Sequence, residues 1–493
     1  MNAAVHLFAG ASLQPIPTSN LSGSLWVAVV ALVHVQIATF ITGSSFLICV
    51  SEGISIARND ERHERLAHGM VKGIAYVFGF GSALAIFWVL FILLGMWGTF
   101  FIALTRITFW PFIFEAGLFA TEIVLLYTLY ANWERLRAYR KARLGMAVLL
   151  AVALWWQQFF IDVVASYMLT PNGGDTNQLA QVLNPTDLPL TIHRTVGNIA
   201  WAGAIIAAVS GFRYLRAKRR DRDVRVDDAP SPRSVGAMSA TWFTEADGAV
   251  AAHAAATSNV AFFDWAGMWG AVWAIALTMF QPWIGYSYAK EIQLHAYPAW
   301  YRMMFGDLSN VFLLQIFLLG MIFLLGTLYF WRRMRASATR GIRTQVLMFA
   351  LLLIATVLAA MPARFAWTYP DVVAANANRP WWDGGLVNPV GTMIPNKIIA
   401  LIVMMVCALV SVTGIVRAHS QGELRWGDAT RRSQWLLVGL GVTVSMMMAV
   451  MGVIREHSRQ PYLVNGEITI QGQHILNGPP SDQGQNAPTT INP

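Results

Sequence analysis

Ala31-Leu-Val-His34-Val-Gln-Ile-Ala-Thr-Phe-Ile-Thr-Gly43-Ser-Ser-Phe-Leu-Ile-Cys49-Val-Ser-Glu52-Gly53 decides how this chain folds. The stretch is long and apolar enough to cross about 30 Å of hydrocarbon as a helix. Yet it carries a histidine toward one end and a glutamate toward the other. Eighteen residues separate His34 from Glu52. That is five full turns, so both lie on one face, roughly 27 Å apart along the axis.

Similar runs recur. The chain has 493 residues, of which 56% are hydrophobic and 12% charged. Candidate spans fall at about 25–52, 69–96, 107–131, 145–168, 190–215, 258–283, 308–332, 344–361, 395–416 and 433–454. The runs are continuous rather than alternating, which excludes a spanning barrel. The expected fold is all-α, a polytopic transmembrane helical bundle of about ten spans.

Positive charge orients the bundle. Most of the 35 lysines and arginines fall in the loops after spans 1, 3, 5, 7 and 9. Those loops are expected in the cytoplasm, with both termini extracytoplasmic. The formal net charge of +9 is therefore a topology signal, and no nucleic-acid partner is expected. Residues 1–24 hold no Lys or Arg and read as an extracytoplasmic segment rather than a signal peptide. Residues 216–257 read as a cytoplasmic linker, 258–462 as a second transmembrane half with long outer loops, and 463–493 as an extracytoplasmic tail. The outer loops, about 284–307 and 362–394, are rich in Trp, Tyr and Pro and suit a cap over the membrane surface.

Cysteine chemistry is limited. Cys49 and Cys407 are the two cysteines, and no Cys-x-x-Cys-His occurs. A Cys-based zinc or iron–sulfur site and a covalently attached c-type haem are excluded.

Ionisable groups inside spans are costly, so each is a functional candidate. Glu115 and Glu122 of span 3 are seven residues apart and share a face, as a proton relay requires. Hydrogen bonding of these carboxyls across helices is the alternative. His193 opens span 5, where Gly197 and Gly203 leave room for a flat macrocycle or for a neighbouring helix. Glu456 and Arg459 end span 10 at ion-pair spacing, just before Pro461. His34, His193 and Glu456 fall at one depth, with Glu115 in the same half and Glu122 deeper. Two histidines and carboxylates in one layer suit buried haems near the outer face.

Taken in order, these residues resemble subunit I of cytochrome bd-type oxidases. His34, Gly43 and Glu52 have the spacings of that family's first helix. Glu122 followed by Trp133-Glu134-Arg135-Leu136 resembles its third. Tyr167-Met-Leu-Thr-Pro171-Asn-Gly173 resembles the end of its fourth, and His193 with Tyr214-Leu215 its fifth. Glu456-His-Ser-Arg459-Gln-Pro-Tyr462 resembles its Glu-x-Gly-Arg-Gln-Pro-Trp segment. The resemblance covers about 25–220, and 395–462 more weakly.

The resemblance implies a haem-ligating bundle over 25–215. It makes His34 and Glu456 axial ligands of two high-spin haems, one of which binds O2. It makes His193 a ligand of a low-spin haem b, Glu115 and Glu122 proton carriers, and Arg459 the partner of a haem propionate or a neighbouring carboxylate. The haems would be b only, or b with d. Departures fall on the donor side. The family's Arg-x-Met pattern aligns with Met393-Ile-Pro-Asn-Lys397-Ile-Ile399, where Ile399 replaces the methionine, so Met393 or Lys397 would have to serve. Of the charged quinol loop only Lys290-Glu291 is found, spans 7 and 8 look inserted, and no apolar span follows the Gln-Pro motif.

Three functions fit these residues. The first is a divergent terminal oxidase subunit in a bacterial inner membrane, beside a second membrane subunit, fed by a quinol or a periplasmic cytochrome. The second is a haem-b electron-transfer subunit of a larger respiratory complex, without O2 reduction. The third is a haem-free transporter whose acids form a proton path.

Overall fold

The opening stretch forms the middle of α1 (Gly23–Arg58), 36 residues of unbroken helix. The computed structural model describes residues 23–88, 94–171, 184–227, 242–304, 306–361, 396–466 and 468–469. Met393 and the outer segment 362–394 lie outside the described residues, as does most of the segment before α1.

After α1 the chain turns at Asn59, which adopts positive φ, and Asp60 caps the next helix by accepting from the Arg62 N–H at 2.8 Å. This helix, α2 (Glu61–Phe87), runs back along α1. There follow α3 (Gly98–Ile107), α4 (Phe109–Asn132), α5 (Arg140–Leu169), α6 (Asp187–Asp227), α7 (Trp242–Thr278) and α8 (Gln281–His295). The chain continues through α9 (Tyr297–Met304), α10 (Ser309–Ala336), α11 (Ile342–Ala360), α12 (Asn396–Ser420) and α13 (Arg431–Ser458). Among the described residues nine helices are long and apolar enough to cross a membrane. The expected second span, about 69–96, begins in α2 and continues into residues 89–93, which lie outside the described residues. The protein is an all-α, multi-pass membrane protein.

Helix α6 is the hub and packs against α1, α5, α7, α8 and α13. Its seam is built from small residues, with Ala202, Ala204 and Ala207 fully buried. A Cβ on Gly203 would stand 2.8 Å from the Gly270 carbonyl oxygen of α7. The space beside His193 that a macrocycle or a helix could use is, at Gly203, taken by a helix. Gly43 brings α1 equally close, since a Cβ there would stand 2.0 Å from the Asn198 carbonyl oxygen.

Three segments differ from their expected form. Part of the linker is helical, because α6 continues to Asp227 and α7 begins at Trp242. The outer segment 284–307 is mostly helix, in α8 and α9, with Pro282 in the first turn of α8 where its missing N–H costs nothing. The tail begins with an antiparallel hairpin, β1 (Tyr462–Val464) and β2 (Ile468–Thr469). Asn465 in its turn donates from its backbone N–H to the Met168 carbonyl at 3.0 Å and from its side chain to that of Leu169 at 3.2 Å. These bonds occupy C=O groups that the end of α5 leaves open.

The helices alternate in direction, so the arginine-bearing turns after α1, α4, α10 and α12 gather at one end, the basic end. There Asp264 and Arg333, both fully buried, pair at 3.0 Å. Asp264 also accepts from the Gly427 N–H and the Gln434 side chain, and Arg333 donates to Ser337. This clasp ties α7, α10 and α13 to the 425–430 turn. His34 and His193 stand toward the opposite end.

Candidate functional site

His34 and His193 stand on two helices that touch and run the same way. Taking the Gly43–Asn198 contact as a common level, His34 is nine residues above it on α1 and His193 five above it on α6. At 1.5 Å per residue their Cα atoms differ in depth by about 6 Å. The one-layer expectation thus holds for this pair to within about one turn. The charge of Arg194 acts on both imidazoles.

Each ring is held by aromatic neighbours rather than by hydrogen bonds. His34 lies against Trp88, with ring centroids 5.1 Å apart, and His193 stacks beside Tyr288 at 6.3 Å. Helix α8, from the expected outer loop, covers His193. Gln281 donates to the His193 carbonyl at 3.0 Å, and Gly285 leaves room for the ring. The Nδ1 atoms of both histidines are buried and have no hydrogen-bond partner among the described residues. Nor have the Tyr288 hydroxyl, Nε of Arg455 and Arg459, or either carboxylate oxygen of Asp187. Buried polar atoms are rarely left unpaired. In this layer, the two imidazole nitrogens and the arginines fit a group that takes nitrogen ligands and presents carboxylates to arginines, as a haem does. No three His, Cys, Asp or Glu side chains converge among the described residues, so a bare metal ion has no cage there.

A buried ion pair sits in this layer. Asp162 of α5 is fully buried and accepts from Arg194, from Thr191 at 3.2 Å and from Gln158 at 3.4 Å. Gln158 in turn accepts from Asn198 at 2.7 Å. Sequence reading passed over Asp162, Asp187, Arg194 and Tyr288. Asp162 had a signal, since it is an acid inside an apolar run like Glu115. Arg194 and Tyr288 had none, because their role depends on which helices meet.

The remaining candidates separate. Glu122 is 3% exposed and, among the described residues, without a hydrogen bond. Glu115 accepts from Gln157 of α5 at 3.3 Å, and the two acids feel each other's charge. Glu456 has a side chain 56% exposed and is paired with buried Arg459, the arrangement their spacing alone suggests. Burial presses the Arg459 guanidinium below its ordinary pKa, and the Glu456 carboxylate opposes this. Lys397 is buried and donates to the Ala359 carbonyl at 3.0 Å and to that of Met361, so it caps α11. Ile399, in the place of the expected methionine, is 56% exposed on the outer surface of α12.

The geometry defines a class, a helical membrane protein with a histidine- and arginine-lined layer at one end. Comparison with known proteins adds a family likeness over part of the chain. Residues 24–258, just under half of the chain, match the family described as Cytochrome bd terminal oxidase subunit I. No curated protein matches the chain. The solved structure of bd oxidase from Geobacillus thermodenitrificans is similar at 13% identity and a TM-score of 0.45. The match covers 89% of this chain and 98% of that one.

Proposed function

We propose that this chain is the haem-holding subunit of a divergent bd-like terminal oxidase in a bacterial cytoplasmic membrane. The observation that carries the reading is the pair of buried, unpartnered imidazole nitrogens of His34 and His193 on touching parallel helices. His193 would ligate a low-spin haem b, and His34 a haem nearer the oxygen chemistry, with or without haem d. These haems, when bound, supply one-electron transfer and O2 binding. The residues of this chain do the rest. Trp88 and Tyr288 shield the imidazoles, and Arg194 and Arg459 place positive charge where carboxylates would sit. Glu115 and Glu122 would carry protons from the basic end toward the layer. Met393 is the proposed second ligand of the His193 haem. The donor is a quinol or a periplasmic cytochrome at the histidine end, and a second membrane subunit completes the enzyme.

One observation favours a second reading. Glu456 is half-exposed and paired with Arg459, the arrangement that their spacing alone suggests. A haem-b electron-transfer subunit without O2 reduction needs only the histidines. Reduced-minus-oxidised spectra of the purified complex, with and without carbon monoxide, separate the two. A CO-sensitive high-spin signal beside a low-spin b band supports the oxidase, and low-spin bands unmoved by CO support the alternative. Full haem content in both His34→Ala and His193→Ala would sink both readings.

A further inference from the structure

The proposed proton carriers Glu115 and Glu122 stand on α4, away from the acid that shares the face of His34. Glu52 lies at the basic end of α1, where an interfacial carboxyl would be expected to meet water. It is instead fully buried. Its Oε1 accepts from Arg143 Nε at 2.9 Å, and Arg143 is fully buried too. The same guanidinium reaches Glu64 at 3.0 Å. Glu64 is part-exposed and lines a cavity of about 550 Å³ that opens at the basic end. Arg143 thus holds one carboxylate in contact with that cavity and one sealed inside.

The pair is incompletely satisfied. Oε2 of Glu52 and Nη1 of Arg143 are buried with no partner among the described residues, and so are the hydroxyls of Ser51 and Ser44 on the same helix. A pair kept only for stability would be expected to use every lone pair and proton, because burying them unpaired costs free energy. Unpartnered groups in such a row are where ordered water sits. Ser44 is seven residues from Ser51, about 10 Å along the axis, and next to Gly43, which packs on Asn198. From Asn198 the hydrogen bonds run on without a break to Gln158 and Asp162, and so to the Arg194 layer.

We infer that Glu52 is the uptake point of a proton route through the α1–α5–α6 interface, separate from Glu115 and Glu122. The inference rests on the oxidase reading, because O2 reduction consumes the protons. Glu64 takes a proton from cavity water, and Glu52 receives it while Arg143 keeps the two carboxylates together. The hydroxyls of Ser51 and Ser44, each able to accept and donate, pass it with bridging water toward Asn198 and Asp162. Nothing is oxidised along the route, and every proton given up on one side is replaced from the other.

The test uses the whole complex, purified from its own membranes. Wild type must first show the CO-sensitive signal, whose absence removes the oxidase reading and this inference with it. Given that signal, Glu52→Gln is expected to keep the haem spectra and lower O2 turnover at least roughly ten-fold. A small weak acid such as formate should restore part of the rate, and Glu52→Asp should be intermediate. Ser44→Ala, which leaves the ion pair untouched, is expected to slow turnover several-fold. Wild-type turnover in both Glu52→Gln and Ser44→Ala would overturn the route while leaving the oxidase standing. Loss of haem in Glu52→Gln, together with normal turnover in Ser44→Ala, would assign Glu52 to structure alone and overturn it as well.

Discussion

Adding one methyl group to Gly43 should separate the two helices that carry the histidines. The Cβ of Gly43→Ala would lie 2.0 Å from the Asn198 carbonyl oxygen and 2.9 Å from the Ala202 Cβ. Ordinary carbon–oxygen contact is about 3.3 Å, so α1 and α6 must part by roughly 1 Å. The atom met first is backbone, which cannot swing aside as a side chain would. Overpacking costs about 1–3 kcal/mol, and a backbone clash belongs at the upper end. About 3 kcal/mol is a more than hundred-fold change in an equilibrium constant. Gly53 on the same helix is the control. A Cβ there meets nothing within 4 Å, so Gly53→Ala should be neutral or stabilise by about 0.4–1 kcal/mol through helix propensity. Thermal unfolding in detergent, with haem content read on the same samples, compares them. Equal melting temperatures and equal haem in the two variants would refute the close approach of α1 and α6 and the depth argument built on it.

Other expectations follow from the ion pairs and the cap. Arg333→Ala should destabilise by about 3–5 kcal/mol because Asp264 is left buried and charged, and adding Asp264→Leu should recover much of that loss; additive melting shifts would refute the pairing. Asp162→Asn should cost less, about 2 kcal/mol, because Arg194 is only partly buried and can be rehydrated. The uncompensated Arg194 charge should also raise the midpoint potential of the haem on His193, and an unchanged potential would place Arg194 elsewhere. Lys397→Met should fray the end of α11 at a cost of about 1–3 kcal/mol, seen as faster hydrogen exchange near residues 357–361.

The spans were legible because a membrane demands one thing of every helix, about twenty apolar residues, and that demand is met locally. The face shared by His34 and Glu52, and the pairing of Glu456 with Arg459, followed from helix geometry alone. The choice at Gly203 between a flat ligand and a helix did not, because it depends on where α7 lies. Nor could the sequence show that Lys397 caps α11, since its acceptors are 36 and 38 residues away.

By itself the sequence determined the class of this protein. Periodicity, charge bias and the order of a few motifs carry helix length, the grouping of the arginine-bearing turns at one end and the family resemblance, and all of these are properties of neighbours along the chain. Tertiary structure decided which polar groups are partners. Asp162 meets Arg194, Arg143 joins Glu52 to Glu64, and Tyr288 covers His193. Each contact joins helices that are distant in sequence, and a side chain buried in hydrocarbon must take its partner from whichever helix packing brings beside it.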